Sequence, residues 1–199
     1  MPIIFEKKEQ HFHMAIWKIT EEESFFSNQI YSNFLIKHPK RRIEFLTGRF
    51  LLKFLNPKFP VEQIIISPKG KPQIPDSNLH FSISHSYPFV AAIIGLDKAV
   101  GVDIQTYSEK VQQIQNKFLS MPEQELCENN IETLTIAWSA KEAVYKYYGL
   151  GNLNFKEDMP IKEISWYENH AKIRIDLEVT RESLRLSGFC EKNFAVVWI

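Results

Sequence analysis

Apolar positions recur along the chain with two periods, and the switches between them mark out its elements. Ile3 to Phe5 and Phe12 to Ile19 have strand character, the second alternating around Met14, Ile16 and Lys18. Thr20, with Glu23 three residues on, has the form of a capping box and predicts a helix carrying Phe25, Phe26 and Ile30. Pro39 opens a second helix, in which Ile43, Leu46, Phe50 and Phe54 recur at three- and four-residue steps until Asn56-Pro57 ends it. Strands follow at Gln63 to Ser67, Leu79 to Ser84 and Phe89 to Gly95, with a turn at Pro68-Lys69-Gly70-Lys71-Pro72.

A second series begins with the apolar strand Ala99 to Ile104. Polar helical stretches run from Ser108 to Leu119 and from Pro122 to Cys127, and a longer helix over 131–148 is stopped by Gly149 and Gly151. Ile161 to Ile199 is strand-rich, with clear alternation from Ala171 to Leu177. Helices and strands occur in both series. The boundary falls between 98 and 99, and the absence of a Pro/Gly/Ser-rich linker predicts two tightly packed halves, 1–98 and 99–199.

Composition narrows the function classes. The chain has 199 residues, 44% hydrophobic and 24% charged, which fits an ordered globular protein. Lys plus Arg and Asp plus Glu are both 24, so the chain lacks the general positive field that non-specific nucleic-acid binding needs, and any anion site must be local. The longest apolar run, Phe89 to Leu96, is far short of the roughly 20 residues that span a bilayer. The opening MPIIFEKKEQ is too charged for a secretory signal. The expectation is a cytoplasmic protein with no nucleic-acid or membrane partner, whose Cys127 and Cys190 are free thiols.

Three stretches carry candidate chemistry. In WSAKEAVYKYYG, Trp138, Glu142 and Lys146 stand at four-residue steps and stack along one helix face, with Lys141 and Tyr145 on its flank. A Glu-Lys pair at that spacing serves an exposed helix equally well; a Trp on the same face favours partial burial, where a metal or phosphate would compensate the charges. In GVDIQ, alternation sends Val102 and Ile104 to one face and Gly101, Asp103 and Gln105 to the other. Asp103 in so apolar a strand suits either turn duty or a hard divalent cation, which takes one or two protein carboxylates. In HFSISHS, His85 with Ser84 suits either a structural strand end or an anion contact through ring N–H and hydroxyl.

Taken in order, GRFLLK at 48–53, GKPQIP at 70–75, FSISHS at 81–86, GVDIQ at 101–105 and WSAKEAVYKYYGLG at 138–151 resemble the 4'-phosphopantetheinyl transferase superfamily, in its longer, monomeric Sfp-type branch. The resemblance implies an α+β protein of two similar halves related by a pseudo-twofold, each a long helix on a small antiparallel sheet, with coenzyme A in the cleft between them. It implies transfer of phosphopantetheine to a serine of an apo acyl or peptidyl carrier protein. By position, Asp103 and Glu142 match Mg2+ ligands and Lys146 a pyrophosphate contact, with Lys141 a further phosphate contact. Lys71, His85 and Ser84 match positions at the 3'-phosphoadenosine, and Arg49, joined by Arg42, a basic position of the same branch. Gln105 stands where many Sfp-type enzymes have Glu, which keeps an oxygen acceptor and loses a charge. That departure leaves room for a coenzyme A binding protein of the same fold with weakened turnover, acting as a sensor or assembly partner.

Overall fold

The computed structural model describes residues 2–30 and 36–199. The chain divides into two units, Met1–Val100 and Gly101–Ile199, each with its own sheet and its own long helix.

In the first unit, β1 (Ile3–Lys8) and β2 (Phe12–Lys18) form a hairpin. A short helix α1 (Glu23–Ser27) and the 17-residue α2 (Pro39–Leu55) follow. A 3-10 turn at Val61–Gln63 leads into β3 (Ile65–Ile66) and β4 (Pro72–Gln73), a two-stranded ribbon. β5 (His80–Ser86) and β6 (Phe89–Gly95) complete a four-stranded antiparallel sheet in the order β1-β2-β6-β5. Leu46, Leu51, Leu52 and Leu55 of α2 pack against Ala15, Trp17, Phe81, Val90, Ala92 and Ile94 of the sheet. The three- and four-residue steps of α2 meet the two-residue alternation of β2 and β6, so both periodicities in the sequence converge on one core.

The second unit opens with β7 (Val102–Thr106), followed by α3 (Lys110–Phe118), α4 (Met121–Cys127) and the 18-residue α5 (Ile131–Tyr148). β8 (Ile161–Tyr167), β9 (His170–Leu177), β10 (Glu182–Glu191) and β11 (Phe194–Trp198) fold back so that the antiparallel sheet runs β7-β11-β10-β9-β8. The N- and C-terminal strands of the unit are therefore neighbours. Leu134, Ile136, Ala137, Ala140, Ala143 and Val144 of α5 lie in one core with Ile173, Ile175, Leu186, Ala195 and Val197. Gly149 ends α5 in the left-handed conformation at φ 70°, and its N–H donates to Tyr145 O, the stop expected of that glycine. Cys127 and Cys190 are free and buried. The two units are similar α+β arrangements, and no helix among the described residues is long and apolar enough to cross a membrane.

Several expectations are corrected. The capping box is not at Thr20: α1 starts at Glu23 behind Glu22, with no side-chain cap. Its carboxylates are drawn elsewhere, Glu23 to Arg42 Nε at 2.7 Å and Glu21 to Trp17 Nε1 at 3.1 Å. The true box is Ser120 with Glu123, at the start of α4. The strand expected over Gln63 to Ser67 shrinks to Ile65–Ile66, because residues 61–63 form the 3-10 turn. β7 begins at Val102 rather than Ala99.

Candidate active site

The site begins with a glycine. A Cβ at Gly101 would lie 2.0 Å from Ala143 O and 3.0 Å from Tyr147 N, so only glycine lets the backbone of α5 cross the start of β7. That crossing sets the face of α5 carrying Glu142 and Lys146 against the face of β7 carrying Asp103 and Gln105. The alternation holds: Asp103 and Gln105 pair with Val197 and Ala195, which lie in the α5 core. Gly101→Ala should cost about 2 to 3 kcal/mol of unfolding free energy and lower Tm by roughly 4 to 12 °C, read by urea and thermal denaturation beside the parent protein.

Asp103 is 2% exposed. Lys146 Nζ donates to its Oδ1 at 2.6 Å and to Val102 O at 3.1 Å, and Gln105 Nε2 donates to its Oδ2 at 3.0 Å. Lys146 reaches this point through its long stem and keeps 26% of its side chain exposed, so the pair has a buried anionic end and an open cationic end. Glu142 joins the same group. Burial, then the charge of Asp103, push its carboxyl up to about 7, and Lys146 opposes the rise only in part. Asp103 holds the ammonium of Lys146 directly, and Glu142 lies near enough to feel both charges in a partly desolvated place where a hard cation would favour its ionised form.

Among the described residues there is no group of three or more His, Cys, Asp or Glu side chains able to hold a metal. Asp103 and Glu142 are nevertheless the number and kind of donors that Mg2+ takes from a protein when phosphates and water supply the rest, and the raised pKa of Glu142 is what such a pair shows without a cation. The donor set fits. Beside it, Gln105, Thr106, Ser108, Val111, Ile114 and Trp138 line a cleft of about 280 Å³. Trp138, one turn before Glu142, stands edge-on to Phe118 at 4.9 Å, which explains the aromatic on a charged face.

Lys141 departs from the expectation of a phosphate contact. Its side chain is 0% exposed, paired with Glu123 and donating to Phe155 O at 2.6 Å. Glu123 also accepts from Ser120 N and Oγ, both at 2.7 Å, and from Ile161 N at 2.8 Å. Lys141 thus closes a satisfied buried network that ties α4, α5 and β8 together, and burial lowers its pKa. Nothing in the local sequence announces this, because Glu123 lies eighteen positions upstream.

The first unit holds the remaining candidates. Arg49 is 5% exposed, its guanidinium 3.4 Å over the Phe45 ring, and burial lowers its pKa to about 10. Lys71, just before β4, is half-buried, which also lowers its pKa. Arg42 is held by Glu23 and donates to Ile36 O at 3.0 Å. Ser84 and His85 do not face the same way: Ser84 pairs with Ala91, and His85 with Val90 on the side that packs against α2. His85 Nδ1 lies 3.2 Å from Glu44 Oε2.

Residues 99–195 match the 4'-phosphopantetheinyl transferase superfamily, a segment that contains Asp103, Glu142 and Lys146. Comparison with curated proteins finds no match. The matched segment takes in nearly the whole second unit, including the crossing of α5 over Gly101 that assembles the site. By this segment, residues 99–195, the chain belongs to the 4'-phosphopantetheinyl transferase superfamily.

Proposed function

We propose that the protein transfers the 4'-phosphopantetheine group of coenzyme A to a serine of an apo acyl or peptidyl carrier protein and releases 3',5'-ADP, as an Sfp-type enzyme acting as a monomer. The observation that carries this is the meeting of Asp103, Glu142 and Lys146 within the superfamily segment. Mg2+ held by Asp103 and Glu142 would neutralise charge on the pyrophosphate. Lys146 has three N–H groups, two of them given to Asp103 and Val102, and its third is suited to a phosphate oxygen. Glu142, beside Lys146 and Asp103, is the carboxylate of the group that we assign to take the serine proton. The serine oxygen then bonds to the β-phosphorus of the pyrophosphate, and the bond from that phosphorus to the bridging oxygen breaks. That oxygen leaves on 3',5'-ADP, where Lys146 stabilises the developing charge. Lys71, His85 and Ser84 are assigned by resemblance to the 3'-phosphoadenosine, and Arg49 to a basic position of the same branch.

The test weighs an apo carrier protein after incubation with the protein, coenzyme A and Mg2+. A gain of one phosphopantetheine supports transfer. Thermal stabilisation by coenzyme A without that gain supports the second reading, a binding protein with weakened turnover, which Gln105 favours because its amide meets Asp103 where a third carboxylate would stand. Gln105→Glu is expected to lower the Mg2+ concentration for half-maximal transfer several-fold, because a third charge joins the donor set; an unchanged value would show that position 105 does not tune the ion.

A further inference from the structure

Of the three buried hydroxyl side chains on the two long helices, Thr47, Thr135 and Ser139, two are matched and one is not. Thr47 Oγ1 donates back to Ile43 O at 2.7 Å and Thr135 Oγ1 to Ile131 O at 2.6 Å, the ordinary destination of such a group four residues upstream. Ser139 is 0% exposed, and among the described residues no polar atom reaches its Oγ. A buried hydroxyl without a partner lowers stability, so its persistence in the core points to a state of the site in which it is matched.

Its place in the fold says which state. Gly101, just before β7, meets α5 at Ala143 and Tyr147, and the cleft beside the far end of β7 brings Gln105 and Thr106 together with Thr135 and Trp138. β7 thus runs along α5 in the opposite direction, with Asp103 abreast of residues 139–142. Lys146, two turns beyond Ser139 and only about 20° round the helix from it, reaches Asp103 from that same face. Glu142 is three residues on from Ser139, a spacing at which helix side chains are neighbours. The two carboxylates differ in support. Lys146 donates to one oxygen of Asp103 and Gln105 to the other, whereas among the described residues Glu142 meets Asp103 and Lys146 through charge alone.

We propose that Ser139 is a positioning residue for Glu142: its Oγ–H donates to the Glu142 carboxylate and turns that group toward a divalent cation shared with Asp103. One rotation about χ1 swings the hydroxyl between staggered positions, and the carboxylate has lone pairs enough for both a donor and a cation. Ser139 touches neither the cation nor coenzyme A. That the cation serves a phosphopantetheine transfer rests on the reading above.

The test reads two quantities in the parent protein and S139A: thermal stability without divalent ion, and affinity for Mn2+ alone, followed by the electron paramagnetic resonance signal of the free ion. Removing an unmatched hydroxyl should keep Tm level or raise it by roughly 2 to 4 °C, while loss of the donor behind Glu142 should weaken Mn2+ binding about tenfold. A role in packing alone would move stability and affinity in the same direction. Calorimetry with coenzyme A repeats the comparison: the affinity gained on adding Mg2+ should shrink about tenfold in S139A, and the affinity without Mg2+ should not change. If S139A does not fold, S139C, which keeps the shape with only a weak donor, takes its place with the same expectations for affinity. An unchanged Mn2+ affinity, a lowered Tm in S139A, or a parent protein that takes up no Mn2+ overturns the proposal. A parent that takes up Mn2+ but neither binds coenzyme A nor modifies a carrier defeats the transfer reading, and the Mn2+ comparison still decides the role of Ser139.

Discussion

Glu142→Gln is expected to reduce phosphopantetheine transfer about a thousandfold while leaving the protein folded. The loss follows from removing both a proton acceptor and an anionic oxygen donor, while the amide fills nearly the same space. A second expectation has the opposite sign for stability. Burial and the Asp103 charge raise the folded pKa of Glu142 from 4.5 to about 7, so its contribution to stability is fully present below pH 4.5 and is lost as pH rises through about 7. Without divalent ion, the parent protein should therefore lose up to about 3 kcal/mol between pH 5 and 8 from this group, and Glu142→Gln should remove that part of the slope. Thermal melts across the range decide it: parallel profiles for the two proteins would mean that the carboxyl is not desolvated, and with it would go the account of a cation-seeking pair.

Lys141→Met should cost about 3 to 5 kcal/mol, because it leaves the buried Glu123 carboxylate without its cation. The three other donors to Glu123 soften the loss without replacing the charge. Adding Glu123→Gln to Lys141→Met should recover part of it, since the second change removes the stranded charge, and a double-mutant cycle in urea measures the coupling. The same variant separates the two roles for this lysine. Retained stability with a raised KM for coenzyme A would return the ammonium to a phosphate, as the motif implies; lost stability with unchanged affinity in the folded fraction keeps it in the interior.

The contrast between Lys141 and Lys146 shows how far sequence reaches. Both sit in WSAKEAVYKYYG, where the four-residue step puts Glu142 and Lys146 on one helix face, and the fold brings Lys146 of that face to Asp103. The same step says nothing of what the flank of the helix meets. Lys141 met Glu123, a residue whose own signal, Ser120-Met-Pro-Glu123, has the same form as Thr20-Glu-Glu-Glu23. One is a capping box and the other is not, because Arg42 and Trp17 compete for the carboxylates near Thr20. Tertiary partners decide between identical local patterns. Gly101 was visible only as a residue on the Asp103 face; that a helix backbone needs its missing Cβ is a fact of three dimensions. Ser84 and His85 are the reverse case, where alternation alone already separates neighbours on a strand.

Both thiols lie in the second unit, at positions 127 and 190, and the first has none. Each is shut from solvent and held protonated by burial, Cys127 with a pKa pushed up to about 12, so neither offers the thiolate that alkylating reagents require. Reagent uptake is thereby a clock for the opening of the second unit around those two positions, and it is built in without any engineered label.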